Sequence, residues 1–240
     1  MSQVYLSIII PAFNEEQRLP TTCASVLSYI KDQPFVSEVL IVENGSQDRT
    51  LEIARDFAAQ HPEFHVIQIA ERGKGRAVQN GMLAARGVYR FMCDADLSMP
   101  IEEINLFLPP AAKEFDVAIG SREAPGSVRF NEPVYRHLGG RIMNNLIRVL
   151  ALPGLQDTQC GFKCFRASVA EDLFRCQTLP GWSFDIEVLY VARKRGYRIT
   201  EVPIHWYFNP ESKLSAVRDA LHMVSEIFKI RRNDRTGIYG

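Results

Sequence analysis

Asp94-Ala95-Asp96 sets two carboxylates two positions apart, directly after the apolar run Val88–Cys93. Hard oxygens at a strand end suit a divalent cation, Mg2+ or Mn2+, that can grip a diphosphate at the same time. A bare Asp-x-Asp is more often a solvated turn with an aspartate cap; the buried strand before it favours the metal reading. Pro11-Ala12-Phe13-Asn14-Glu15 leaves a second apolar run, Val4–Ile10, and opens a helix. Asn14 and Glu15 are candidates for a ribose or base, and a helix N-terminus favours an anion. A strand ended by Pro11 and followed by an acidic helical turn would read the same way. Glu43-Asn44-Gly45-Ser46, with Asp48, is turn chemistry after Glu38–Val42. Gly45 and Ser46 suit a turn and a helix cap, which leaves Glu43 for the nucleotide. Lys74 lies in Arg72-Gly73-Lys74-Gly75-Arg76, where glycines let backbone come close to a ligand and the lysine can meet phosphate. A solvated basic loop is the plain alternative.

These residues need elements to hold them. Strands are expected at Val4–Ile10, Glu38–Val42, His65–Ile69, Val88–Cys93 and Val117–Gly120, and helices at Glu15–Lys31, Ser46–Gln60 and Gly75–Ala85. Strands alternating with helices at this spacing make a mostly parallel sheet with helices on both faces. Such sheets bind ligands beyond the carboxyl ends of their strands, where all four polar segments fall. After Gly120 the pattern loosens: Ala124–Val134 reads as a loop, Tyr135–Leu152 and Phe184–Lys194 as helices, and Ile199–Trp206 as one strand. Leu214–Arg232 has helical apolar spacing and a basic end, which suits core packing or, less often, a membrane interface. No repeat or linker interrupts the chain, so residues 1–240 read as one domain.

Composition sets limits. The 240 residues are 46% hydrophobic and 23% charged, enough for a sizeable core and against disorder. Lys+Arg and Asp+Glu both total 28, which argues against a general nucleic-acid binder. Residues 1–120 carry 10 basic and 16 acidic side chains, and residues 121–240 carry 18 and 12, so the halves are −6 and +6. An acidic half suits a metal; a basic half suits phosphate or an anionic membrane. The five cysteines, Cys23, Cys93, Cys160, Cys164 and Cys176, are irregularly spaced and suit free thiols in a reducing cytosol. Met1–Ile10 has no signal-peptide pattern, and no stretch reaches the roughly 18 apolar residues that span a bilayer. A soluble or peripheral protein is expected. G-x-G-x-x-G and G-x-x-x-x-G-K-[ST] are both missing, which disfavours Rossmann dinucleotide binding and P-loop chemistry.

In order, Ser7–Glu15, Val42–Thr50, Gly73-Lys74-Gly75, Asp94–Ser98 and Gly120-Ser121-Arg122 resemble the family 2 glycosyltransferases, which have a nucleotide-diphospho-sugar transferase fold of the GT-A type. Asp157–Lys163 and Trp182–Glu187 look like the dolichyl-phosphate β-glucosyltransferase branch, and Glu211–Leu214 matches an element shared with polyprenyl-phosphate mannose synthases. The resemblance implies Pro11, Ala12, Glu15 and Glu43 around the nucleoside and Asp94, Asp96 and Lys213 near the donor diphosphate; Asn14, Lys74 and Ala95 are further candidates for nucleotide-sugar binding. It implies a cation on Asp94, Asp96 and the adjacent Ser98, and Arg122 and Arg136 on a lipid phosphate. Residues 1–120 would hold the nucleotide sugar and 121–240 the acceptor. The sequence departs from the pattern at Phe13, where tyrosine is commoner, at Glu43-Asn44 for a double aspartate, and at Ser98 and Tyr207. The last two favour a glucosyl over a GDP-mannose donor.

The implied reaction moves a hexose, with UDP-glucose as the expected donor, onto a polyprenyl or dolichyl phosphate at the cytoplasmic face of a membrane. A GDP-mannose-dependent transferase and a transferase to a non-lipid acceptor are the alternatives. An ionised phosphate is already a nucleophile, so positioning would matter more than a strong base. Asp94, Asp96, Arg122 and Asp185 are the catalytic candidates; Asp185 would orient a sugar hydroxyl or a basic residue, or merely cap Phe184–Lys194.

Overall fold

The computed structural model describes residues 3–209 and 216–240. Nine strands and seven α-helices alternate among these residues: β1 Leu6–Ala12, α1 Leu19–Lys31, β2 Ser37–Glu43, α2 Thr50–Gln60, β3 Phe64–Gln68, α3 Lys74–Ala84, β4 Tyr89–Met92, then a 3-10 helix Ile101–Phe107. There follow β5 Val117–Ser121, β6 Val128–Phe130, α4 Val134–Leu150, β7 Lys163–Arg166, α5 Ala167–Cys176, α6 Phe184–Lys194, β8 Ile199–Pro203, β9 His205–Tyr207 and α7 Ala216–Arg235. Seven strands form one sheet in the order β3-β2-β1-β4-β7-β5-β8. All neighbours run parallel except β7, which is antiparallel to both β4 and β5. A small parallel ladder joins β6 to β9.

Strands buried on both faces read as continuous apolar runs. In β1, Leu6, Ile8 and Ile10 point to one core with α1, α2 and the 3-10 helix, while Ile9 points to the other with α3. Helices therefore cover both faces, as the alternation of segments predicts. α7 places Met223, Ile227 and Ile230 in the second core and leaves Phe228 exposed; Leu214 and the side chains of Val217 and Leu221 lie outside the described part.

Several boundaries differ from expectation. Pro11 does not end β1; the strand runs on to Ala12 in register with Glu43. β4 accompanies β1 only as far as Ile9, so at Pro11 the ladder has one side, where a missing N–H is tolerated. α1 and α2 begin later than expected, after turns at 15–18 and 46–49. The segment 124–134 contains a strand, β6, and the expected strand Ile199–Trp206 is two, β8 and β9. The boundary drawn at residue 120 falls inside β5. The periodicity gave no sign of β7 or α5. All five cysteines are free, and no helix of the described residues is long and apolar enough to cross a membrane.

Glu38 ties the amino-terminal ends of the sheet together. Its buried carboxylate accepts from the Ser7 hydroxyl (2.6 Å), the Arg86 backbone N–H (2.6 Å) and Arg86 Nε (2.7 Å). Burial alone would raise its pKa, but these bonds hold it below the ordinary value. A depressed carboxylate stabilises the fold fully above its unfolded pKa, about 4.3, and loses that contribution as pH falls through the lower folded value. Glu38→Gln is expected to cost about 1–3 kcal/mol at pH 7 in urea unfolding. The gap between variant and wild type should begin to narrow as pH falls through about 4.3 and close below the lower folded value; a gap that does not narrow on acidification would refute the assignment.

Candidate functional site

The carboxyl ends of β1, β2 and β4 bring their loops together. The β1 and β2 loops are fastened residue by residue: Asn14 N–H donates to Ser46 Oγ (3.0 Å), Gln47 N–H to Asn14 Oδ1 (2.8 Å), Glu15 N–H to Thr50 Oγ1 (2.8 Å) and Glu16 N–H to Asp48 Oδ2 (3.2 Å). Asn14 adopts φ +53°, a conformation that asparagine tolerates better than most residues. Ser46 is thus not a helix cap; its hydroxyl holds Asn14, and its N–H donates to buried Glu43 Oε1 at 2.5 Å. The Asn44 amide, oriented with its oxygen toward Gly73 N–H (3.1 Å) and its nitrogen toward Ala12 O (2.8 Å), adds the third loop. Arg72 lies over the Phe13 ring, 5.2 Å from its centre.

Asp94 follows β4, whose extension is held by Cys93 N–H on Ile9 O (2.9 Å). The Thr22 hydroxyl on α1 donates to Ala95 O (2.6 Å), and Ser98 N–H donates to Asp96 Oδ1 (3.1 Å). Leu97 between them has φ +43°, so the turn that presents Asp96 is held in a left-handed conformation. Asp96 has a raised pKa, first from burial and then from the Asp94 charge. Two carboxylates that repel one another in a half-buried pocket fit a divalent cation. Among the described residues no group of three His, Cys, Asp or Glu is placed to hold a metal. A cation here would take Asp94 and Asp96 and complete its shell from diphosphate and water, the usual arrangement for Mg2+. Ser98 adjoins the pair, with its hydroxyl as a further candidate oxygen.

Lys74 reaches the same place from the start of α3. Its Nζ lies 2.6 Å from Asp94 Oδ1 and 4.9 Å from the centre of the exposed Trp182 ring. Burial opposes its charge, but Asp94, Asp185 and Asp96 outweigh that and its pKa is raised. The flanking glycines serve the protein rather than a ligand: a Cβ on Gly73 (φ +138°) would stand 2.3 Å from Pro180 O, and one on Gly75 would stand 2.7 Å from Leu179 O. Glu187 holds that facing loop by accepting from Thr178 N–H, at 3.0 Å to each oxygen, and Leu179 N–H (2.8 Å). Asp185, in the first turn of α6, pairs with buried Lys163 (2.7 Å). Burial raises its pKa, Lys163 and Lys74 oppose that rise, and Asp94 adds to it.

Reversed β7 explains the remaining neighbours. Its first residue, Lys163, lies beside Met92 and Ile119, so the incoming segment 157–162 lands at the carboxyl ends of β4 and β5. A Cβ on Gly161 would stand 2.2 Å from Asp94 Oδ2. Buried Asp157 takes Arg122 in a fork, Nε at 2.6 Å and Nη2 at 2.9 Å, and also accepts Arg122 N–H at 3.1 Å. Burial works against the Asp157 carboxylate, but the Arg122 charge and bonds hold its pKa below the ordinary value. Arg122 also lies 5.5 Å from the centre of the Trp206 ring. Arg136 lies on α4 with its side chain outside the described part, and Lys213 lies outside the described residues. Reading the sequence singled out neither Thr22, Gly161, Asp157 nor Lys163 as a site residue. The last three lie in a quoted motif; Thr22 has no local signal, since its contact with Ala95 spans 73 positions.

A doubly covered sheet whose strand ends converge on an acidic pair defines a nucleotide-sugar transferase architecture, and the chain belongs to glycosyl transferase family 2, whose model matches residues 7–174. A dolichyl-phosphate beta-glucosyltransferase of Trichomonas vaginalis is 33% identical over 249 residues, covering 99% of this chain and 76% of that protein. The enzyme of that name from Homo sapiens is 31% identical, covering 98% and 77%. Among solved structures, glucosyl-3-phosphoglycerate synthase from Mycobacterium tuberculosis, in complex with Mn2+, UDP-glucose and phosphoglyceric acid, superposes with TM-score 0.64 at 16% identity, covering 95% of this chain and 79% of that one. Mannosyl-3-phosphoglycerate synthase from Rubrobacter xylanophilus gives 0.67 at 17%, covering 98% and 75%. At such identities the shared property is the fold.

Gly161→Ala is expected to push the Asp94 carboxylate aside, because the new methyl overlaps Oδ2. Divalent-cation affinity in the presence of nucleoside diphosphate should fall by about tenfold or more, roughly the loss of one good ligand contact. Far-UV circular dichroism should be unchanged. Wild-type cation affinity in this variant would refute the packing argument.

Proposed function

We propose that the chain is an inverting hexosyltransferase that moves glucose from UDP-glucose to a polyprenyl or dolichyl phosphate as a peripheral protein at the cytoplasmic face of a membrane. The observation that carries this reading is the Asp94–Asp96 pair at the tip of β4, faced by Lys74 and closed by Gly161. Identity of about 30% along nearly the whole chain to dolichyl-phosphate beta-glucosyltransferases supports the sugar and the acceptor class. Pro11, Ala12, Asn14, Glu15 and Glu43 line the strand ends where the nucleoside would lie. Glu43 and the Asn14 amide already organise the loops there, so they would shape that wall as well as touch it.

Asp94 and Asp96, with Ser98 adjacent, would hold Mg2+ or Mn2+, which supplies positive charge against the departing diphosphate. Lys74, and Lys213 by resemblance, would add to that charge. An acceptor phosphate oxygen forms the new bond to the anomeric carbon as the bond to the diphosphate oxygen breaks; that electron pair leaves with the nucleoside diphosphate. Attack from the opposite side gives a β-linked product from an α-linked donor. Arg122 and Arg136 would bind the acceptor phosphate by charge-assisted hydrogen bonds. Asp157 fixes the plane of the Arg122 guanidinium, which keeps that cation oriented.

Incubation with radiolabelled UDP-glucose and polyprenyl phosphate should carry label into the organic phase. Asp96→Asn should lower that transfer by about a hundredfold or more. A radiolabelled product, distinct from UDP-glucose, that stays in water would point to a non-lipid acceptor. A larger thermal shift with GDP-mannose than with UDP-glucose, each with Mg2+, would replace the donor.

A further inference from the structure

Resting on that reading of the Asp94–Asp96 site, we propose that Lys74 is the counter-cation of the donor-free protein. Its ammonium holds the place on Asp94 that a divalent cation takes, so the cation enters together with the donor diphosphate rather than before it.

Both oxygens of Asp94 have a close neighbour, although its side chain stays 27% exposed. Oδ1 carries the Lys74 ammonium at 2.6 Å, and Oδ2 fills the space above Gly161 that a Cβ would otherwise take. A cation that takes the place beside Oδ1 therefore displaces Lys74. The backbone of Lys74 cannot retreat: Gly73 and Gly75 abut the carbonyls of Pro180 and Leu179, and Arg76 N–H donates to Pro180 O at 3.1 Å. Only the side chain can move, and a lysine stem is flexible. A second berth is at hand, because Trp182 presents its ring face to the ammonium and Asp185 adds its field. Lys163 holds Asp185 in place from the other side.

The charge balance points the same way. Asp94, Asp96 and Asp185 face Lys74 and Lys163, which leaves one uncompensated negative charge in the cluster. A divalent cation alone would turn the cluster net positive in a desolvated place, which is costly. A cation accompanied by a doubly negative diphosphate ester returns the cluster to its starting charge. Lys74 freed from Asp94 then has an anion to meet.

The test is Mn2+ titration followed by the electron paramagnetic resonance of free Mn2+, with and without UDP, which reads binding and not turnover. Wild type should bind Mn2+ weakly alone and at least about tenfold more tightly with UDP, a coupling of ordinary size. Lys74→Met should bind Mn2+ alone about tenfold more tightly than wild type and show little further gain with UDP. Lys74→Arg, which keeps the charge, should restore weak binding of Mn2+ alone. Asp96→Asn should bind poorly in every case. Equal wild-type affinity with and without UDP overturns the proposal, whether or not Lys74→Met folds. Unchanged or weaker Mn2+ binding by a folded Lys74→Met, with Asp96→Asn still defective, makes Lys74 a structural ion pair and leaves the metal site standing. Undiminished binding by Asp96→Asn overturns the metal site as well.

Discussion

A charge removed from water has to be met by an opposite charge, and the carboxyl end of this sheet removes several at once. Asp94 meets Lys74, Asp185 meets Lys163 and Asp157 meets Arg122, each at 2.6–2.7 Å. Asp96 has its pKa raised by burial and then by the Asp94 charge. Asp94, Asp96 and Asp185 thus face two lysines, with one negative charge in excess. Neighbouring features follow from keeping these pairs in register: the glycines at 73, 75 and 161, the Glu187-bound loop and the turn at Leu97.

One reversed strand makes this possible. Parallel strands alone would send the chain after β4 into a crossover and leave the space beyond Asp94 to loops. β7 instead runs against β4 and β5, and its entrance delivers Gly161 to Asp94 and Lys163 to Asp185. The fork between Arg122 and Asp157 closes the same corner by joining the end of β5 to that entrance. Each of the three ion pairs lies within one half of the chain, Lys74 with Asp94 in the first and Arg122 with Asp157 and Lys163 with Asp185 in the second, and Gly161 against Asp94 joins the two halves.

The side proposed for the nucleoside is built differently. There the loops after β1 and β2 are joined mainly by backbone donors on side-chain acceptors, from Asn14 to Thr50. Such a wall is preorganised and loses little conformational freedom when a ligand arrives. Asn14 and Ser46 therefore hold one another, and Asp48 holds Glu16 and Thr50, without any ligand.

Order along the chain was enough to identify much of this protein. Apolar runs separated by helical stretches implied the doubly covered, mostly parallel sheet, because a strand buried on both faces leaves a local trace. The strand-end rule located Asp94, Asp96 and Lys74 for the same reason. Pairing between distant segments leaves no such trace. β7 is four residues long and has no alternation to read, so its direction and its place between β4 and β5 emerged only from the folded sheet. Gly73 and Gly75 read as room for a ligand and proved to be room for Pro180 and Leu179. Residue types and their spacing thus determined which groups could do chemistry; tertiary structure alone decided which of them touch, because burial forces charges far apart in the chain to neutralise one another.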